Sequence, residues 1–261
     1  MVALKKNTTV QQLKNGLIVS CQPRLHSPLD QPKFVAALTA VAEEQGAVAV
    51  RINGVPNIRA VRKAVQIPIL GIEKINYPDS AVYITPTIES VRRVHRAGAH
   101  LIAIDGTERP RPHNQSLADT IDASKTDLDA IIMADVATLQ QGLEAAKLGV
   151  DLVSTTLYGY TEETRHCQGP AFELARELVR EVDIPVILEG RVHEPDHVRR
   201  AFDLGAHAVV VGTAVTNFEW LTRRFIEACP NNHGRGSELH CQRSAPRRPI
   251  TSERTRSKEE S

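Results

Sequence analysis

Seven short apolar runs in this 261-residue chain each hand over to polar residues that can do chemistry, and an eighth closes on glycine and threonine. In chain order the seven ends are Gln22, Arg51 with Asn53, Lys74, Asp105, Asp135, Thr155 with Thr156, and Glu189; the eighth carries Gly212 and Thr213. Any one polar strand end is ordinary, because strands stop at solvent. Seven converging on one ring would set two cations, Arg51 and Lys74, against three carboxylates, an arrangement suited to mutual pKa tuning. Lys74 poses the question most sharply. The run PILGIEK meets Glu73 and Lys74 and then a Pro-Asp turn, so the lysine is either a solvated stop or a base at the mouth of a pocket. A lysine works as a base near neutrality only where desolvation or a neighbouring cation lowers its pKa.

The elements that would position these residues follow from periodicity. The runs LIVSCQ, AVAVRING, PILGIEK, HLIAIDG, LDAIIMAD, VDLVSTT, IPVILEG and HAVVVGT have strand length and are almost continuously apolar, as buried parallel strands are. Between them FVAALTAVAEEQG, IRAVRKAVQ, IESVRRVHRAGA, TLQQGLEAAKLG, FELARELVREV and PDHVRRAFDLGA repeat apolar residues at helical spacing, and several end in Gly. About eight βα units predict an α/β fold of the (β/α)8 TIM-barrel type, with a doubly wound open sheet as the competing architecture. In the barrel the active site is built at the C-terminal strand ends. The loops after the seventh and eighth strands read EGRV and VGTAV, where Gly190, Arg191, Gly212 and Thr213 are candidates to hold a phosphate.

Other function classes find little support. Lys plus Arg number 32 against 31 Asp plus Glu, a formal charge of +1 that offers no global attraction to nucleic acid or to an anionic membrane. A small-molecule partner is expected instead. The four cysteines, Cys21, Cys167, Cys229 and Cys241, are widely spaced, which points to reduced thiols rather than zinc or disulfides. The histidines, among them His95, His193, His197 and His207, have no metal-ligand spacing, and neither GxGxxG nor a Walker loop is present. The opening MVALKKNTTVQQLKNG has no apolar core, so a cytoplasmic protein is expected. Residues 1–229 are expected to form the catalytic barrel and 230–261, rich in Pro, Ser and Arg, a disordered charged tail.

The stretches LIVSCQ, VRING, GIEKINYPDSAVYITPT, IAIDGTERPRP, IMADVATLQQG, STTLYGYT, LEGRV and LGAHAVVVGTAVT, in this order, resemble the N-acetylmannosamine-6-phosphate 2-epimerases of sialic acid catabolism, from about Gly16 to about Phe225. The resemblance implies a (β/α)8 barrel, interconversion of N-acetylmannosamine 6-phosphate and N-acetylglucosamine 6-phosphate without a redox or organic cofactor, and a homodimer paired through its last helix. It implies Lys74 as the essential lysine, Glu189 as its partner carboxylate, and Asp135 and Arg51 as the polar residues holding them. Gln22, Arg51, Asp105, Thr156 and Tyr160 are the substrate-binding candidates. One departure stands out. Where the family continues Ile-Thr-Arg-Pro, this chain reads Val215-Thr216-Asn217-Phe218, so an arginine implied to contact phosphate is absent unless Arg191 or Arg223 compensates. A Schiff-base aldolase and a sugar-phosphate-binding barrel without catalysis are the alternatives.

Overall fold

The computed structural model describes residues 8–230; the expected tail, apart from Pro230, lies outside the described residues. The chain divides into two compact units, Met1–Phe218 and Glu219–Ser261. In the first, eight parallel strands close into a barrel in sequence order: β1 (Gly16–Cys21), β2 (Ala49–Asn53), β3 (Ile69–Ile72), β4 (Leu101–Asp105), β5 (Ile131–Asp135), β6 (Leu152–Ser154), β7 (Val186–Glu189) and β8 (Ala208–Val211). Closure is set by β1 lying against β8, with Ile18 beside Val210. The open-sheet alternative is thereby excluded. All eight expected strands are present, each a residue or more shorter than its apolar run or shifted against it.

Seven helices cross between strands: α1 (Pro32–Glu44), α2 (Val55–Ala64), α3 (Ile88–Ala97), α4 (Leu117–Thr126), α5 (Leu139–Lys147), α6 (Phe172–Glu181) and α7 (Pro195–Asp203). Local chemistry sets their ends. The Thr87, Ser116 and Thr138 hydroxyls accept the amides of Ser90, Asp119 and Gln141, and Gly98 closes α3 in the left-handed region at φ 103°. A one-turn helix α8 (Thr213–Thr216) comes shortly after β8, and α9 (Phe218–Glu227), apart from its first residue, forms most of the described part of the second unit.

Alternation along the strands sorts two cores. One parity, including Val50, Ile52, Ile69, Ile102, Ile104, Ile132 and Val153, packs outward with the helices. The other fills the barrel with Ile18, Ala49, Leu70, Ile72, Leu101, Ala103, Ile131, Met133, Leu152, Ile187 and Val210. Gly71 shows how closely the helical layer presses on the barrel. A Cβ there would lie 2.6 Å from both Ala99 and Val94, so only glycine fits beneath α3. Continuing the inward parity past the apolar layers, one step on most strands and two on β6, brings Arg51, Lys74, Asp105, Asp135, Thr156 and Glu189 to the same end of the barrel.

Candidate active site

The inward residues meet at a cavity of about 270 Å³ over the C-terminal strand ends. Its floor is a buried ion-pair network. Arg51 Nη2 donates to Asp135 Oδ2 at 2.5 Å and Nη1 to Asp135 Oδ1 at 3.2 Å, and Nη1 also reaches Glu189 Oε2 at 2.5 Å. Arg51 and Asp135 are 1% and 0% exposed, so neither charge keeps a hydration shell. The Thr156 hydroxyl lies 2.8 Å from Asp135 and 3.0 Å from Glu189 and has one proton to give, which fixes the carboxylates at a common edge. Thr155 faces the other way. Its hydroxyl bridges to the backbone of Glu189, donating to the carbonyl at 2.9 Å and accepting the amide at 3.1 Å, and so locks β6 to β7.

The Lys74 amide donates to Asn53 Oδ1 at 2.9 Å, which ties β3 to the end of β2. Past it the chain folds back as an antiparallel ribbon: Lys74 bridges Ile84, the Ile75 amide donates to the Tyr83 carbonyl at 3.0 Å, and the Thr85 amide donates to the Glu73 carbonyl at 2.8 Å. Glu73 points outward and pairs with Arg93 at 2.8 Å. The two adjacent charges of PILGIEK thus divide by parity. Glu73 is a surface partner, and Lys74 enters the cavity.

Electrostatics separates the roles. Lys74 stands in a concave site where solvent reaches it, yet the surrounding walls displace bulk water. That desolvation, followed by the Arg51 charge, lowers its pKa, while Glu189 and Asp135 pull the other way. Burial pushes the Glu189 carboxyl up, and Asp135 adds to this because two carboxylates share one guanidinium; Arg51 and Thr156 oppose the rise. Arg51 is held firmly charged, since the carboxylates outweigh its desolvation. With Arg51 and Asp135 cancelling, one proton remains to be shared between Lys74 and Glu189. These shifts bring the proton affinities of Lys74 and Glu189 closer together, against the attraction between their charged forms.

Ten of the twelve candidate residues border the cavity: Gln22, Arg51, Lys74, Thr156, Tyr160, Glu189, Gly190, Arg191, Gly212 and Thr213. The two others, Asp105 and Asp135, stand behind its wall. Asp105 is satisfied by its own loop, accepting the Thr107 amide at 2.9 Å and hydroxyl at 2.6 Å and pairing with Arg109 at 2.6 Å. Arg191, at φ 55°, sends its guanidinium to the carbonyls of Tyr158, Cys167 and Gly159 and over the Tyr160 ring at 4.6 Å. That side chain staples the loop after β6. Asn217 lies on the cavity wall, whereas Arg223 belongs to the second unit.

Several wall residues are not among the sequence candidates. Ser20 accepts Gln22 Nε2 at 2.8 Å and shares the inward parity of Ile18, a signal that could have revealed it. His193, in the loop after Arg191, and Tyr83 and Ile84, brought in by the ribbon, had none. Among the described residues no cluster of His, Cys, Asp and Glu could hold a metal ion.

Comparison with known proteins identifies relatives of this chain. Residues 35–231 match the family model NanE, described as "Putative N-acetylmannosamine-6-phosphate epimerase". Proteins named "Putative N-acetylmannosamine-6-phosphate 2-epimerase" from Cutibacterium acnes and from Caldanaerobacter subterraneus subsp. tengcongensis are 46% and 45% identical, covering 84% and 83% of this chain and 96% and 92% of their own. A solved structure of the N-acetylmannosamine-6-phosphate 2-epimerase from Clostridium perfringens superposes with a TM-score of 0.81 at 40% identity, over 84% of this chain and 96% of the other. The chain belongs to the NanE family of N-acetylmannosamine-6-phosphate epimerases.

Proposed function

We propose that this chain interconverts N-acetylmannosamine 6-phosphate and N-acetylglucosamine 6-phosphate by removing and returning the proton at C2. Beyond family membership, the carrying observation is that Lys74 and Glu189 border one cavity over a shared buried Arg51–Asp135 pair. In the open-chain sugar, C2 lies beside an aldehyde, so its hydrogen can be removed if the enolate oxygen is stabilised. The free amine of Lys74 takes that proton. Glu189, its carboxyl pushed up by burial, serves as acid or base in ring opening or at the opposite face of C2, and Arg51 with Gln22 steadies developing negative charge. Delivery to the opposite face inverts the centre. Asp135 does not touch the cavity and acts by orienting Arg51, while Asp105 supports the loop after β4.

The phosphate is assigned to the β7–β8 flank, where the backbones of Gly190, Arg191, Gly212 and Thr213 border the cavity beside Asn217. Gripping the phosphate end supplies orienting energy away from the reacting carbon. The family resemblance extends the reading to a cytoplasmic homodimer. Among the described residues no helix is long and apolar enough to cross a membrane.

Proton NMR in deuterated buffer with N-acetylmannosamine 6-phosphate tests the reading. Loss of the C2 hydrogen together with growth of the gluco epimer is the expected result. Binding without exchange would overturn it in favour of a barrel that holds sugar phosphates without turning them over, a reading prompted by Asn217. Trapping of an adduct by borohydride would favour the aldolase instead.

A further inference from the structure

The wall of the cavity away from the phosphate flank has a chemistry of its own. Gly190, Arg191, Gly212 and Thr213 border the cavity at β7 and β8, and in an eight-stranded closed ring the opposite side belongs to β3 and β4. There the ribbon after β3 presents Lys74, Tyr83 and Ile84. A hexose phosphate lying across the cavity with C6 on the β7–β8 flank carries its C2 substituent toward this ribbon. On that substituent are one carbonyl acceptor and one methyl group. The ribbon offers one phenolic donor next to one branched apolar side chain. The other apolar side chains on the wall, Val192 and Val210, stand on the phosphate flank.

We infer that Tyr83 and Ile84 form the subsite for the N-acyl group, the Tyr83 hydroxyl donating to the amide carbonyl and Ile84 receiving the methyl. This rests on the epimerase reading above. The ribbon is held in place for the task. Thr85, fully buried and β-branched, sits at φ 45°, a conformation such residues rarely adopt, and is kept there by donating its amide to the Glu73 carbonyl and accepting the Glu73 amide through its hydroxyl at 3.2 Å. Its neighbour in sequence is Ile84, so the bonds that hold Thr85 in place also fix the adjoining wall. Behind the wall the Asp105–Arg109 pair and the Ser80 hydroxyl, donating to the Pro110 carbonyl at 2.7 Å, brace ribbon and β4 loop together. Tyr83 packs against the barrel core. Burial, with Asp135 and Asp105 nearby, holds the phenol above its ordinary pKa, so it remains a neutral donor throughout the working range.

The test is steady-state kinetics of Tyr83→Phe on N-acetylmannosamine 6-phosphate, with inorganic phosphate as a competing probe of the opposite flank. Losing one neutral hydrogen bond should raise KM about three- to tenfold, leave the inhibition constant of inorganic phosphate unchanged, and leave kcat within about twofold. Ile84→Val should improve turnover of the N-propanoyl analogue relative to the N-acetyl sugar, since one methylene of space is opened. An unchanged KM in Tyr83→Phe overturns the inference, as does a fall in kcat alone, which would move Tyr83 to the reacting atoms. A parallel rise in the phosphate constant also overturns it, by showing general damage. Wild-type protein that turns over neither sugar defeats the epimerase reading instead.

Discussion

Replacing Asp135 with Asn isolates the work of the buried ion pair. The guanidinium of Arg51 is 1% exposed and gives Asp135 two hydrogen bonds, at 2.5 and 3.2 Å. Removing one partner of such a pair strands a desolvated charge, a loss of about 3–5 kcal/mol. In a barrel of this size each kcal/mol moves Tm by about 2–4 °C, so a drop of about 6–20 °C is expected. Glu189 stays 2.5 Å from Arg51 Nη1 and Asn keeps an acceptor for Thr156, which places the outcome toward the lower end. Catalysis should respond separately, through charge. Asp135 raises the pKa of both Lys74 and Glu189, so its neutralisation lowers both, and the pH–rate profile should slide to lower pH on each limb. Differential scanning fluorimetry and C2-hydrogen exchange across pH read the two effects. The double replacement Arg51→Met with Asp135→Leu should recover part of the stability while remaining inactive, because the Arg51 and Asp135 charges leave together and only Glu189, deprived of its guanidinium partner, must be held as the neutral acid. A Tm within about 2 °C of wild type for Asp135→Asn, under the smallest shift expected from the stranded charge, or an unmoved profile, would refute the account of the network.

Lys74→Met should abolish C2 exchange, by about 10²–10⁴-fold or more, and raise Tm near neutral pH. The sign comes from linkage: folding lowers the Lys74 pKa, so between that value and about 10.4 the unfolded chain binds more protons, and wild-type stability climbs with pH. The Tm gap between variant and wild type should therefore narrow as pH rises toward about 10, as thermal melts from neutral to alkaline pH would show. Asn217→Arg should tighten inorganic phosphate about 10- to 100-fold in competition assays, the value of a charge-assisted bond on the wall where Asn217 stands. No gain there would place the phosphate elsewhere.

Much of this was legible in the residues because a parallel barrel has simple rules. Buried strands read as apolar runs, the inward parity carried to and just past the strand ends opens on the site, and Arg51, Lys74, Thr156 and Glu189 all lie on that parity. Helix α4 escaped because its buried face is Thr120, Ile121 and Ser124. The two hydroxyls are satisfied by carbonyls one turn back, Ser116 and Thr120, so the face is buried without being apolar and the hydrophobic period disappears. Asp105 shows the converse. Its strand-end position is right, yet Thr107 and Arg109 in the next loop consume its acceptors, and no spacing rule anticipates that a loop will turn back on its own strand.

The ribbon after β3 connects these observations. Strand periodicity ends at Ile72, and the segment beyond it departs from barrel rules, with an antiparallel turn, a left-handed Thr85, and the side chains of Tyr83 and Ile84 returned to the mouth. Lys74 alone would be a long flexible amine at the edge of a pocket. Anchored through its amide to Asn53 and bridged to Ile84, its backbone is fixed on both sides, so the cost of ordering the amine is met largely in folding rather than at each turnover. The same ribbon delivers Tyr83 and Ile84. The segment that departs most from the repeat is therefore the one that carries both the proposed base, Lys74, and the proposed acyl subsite.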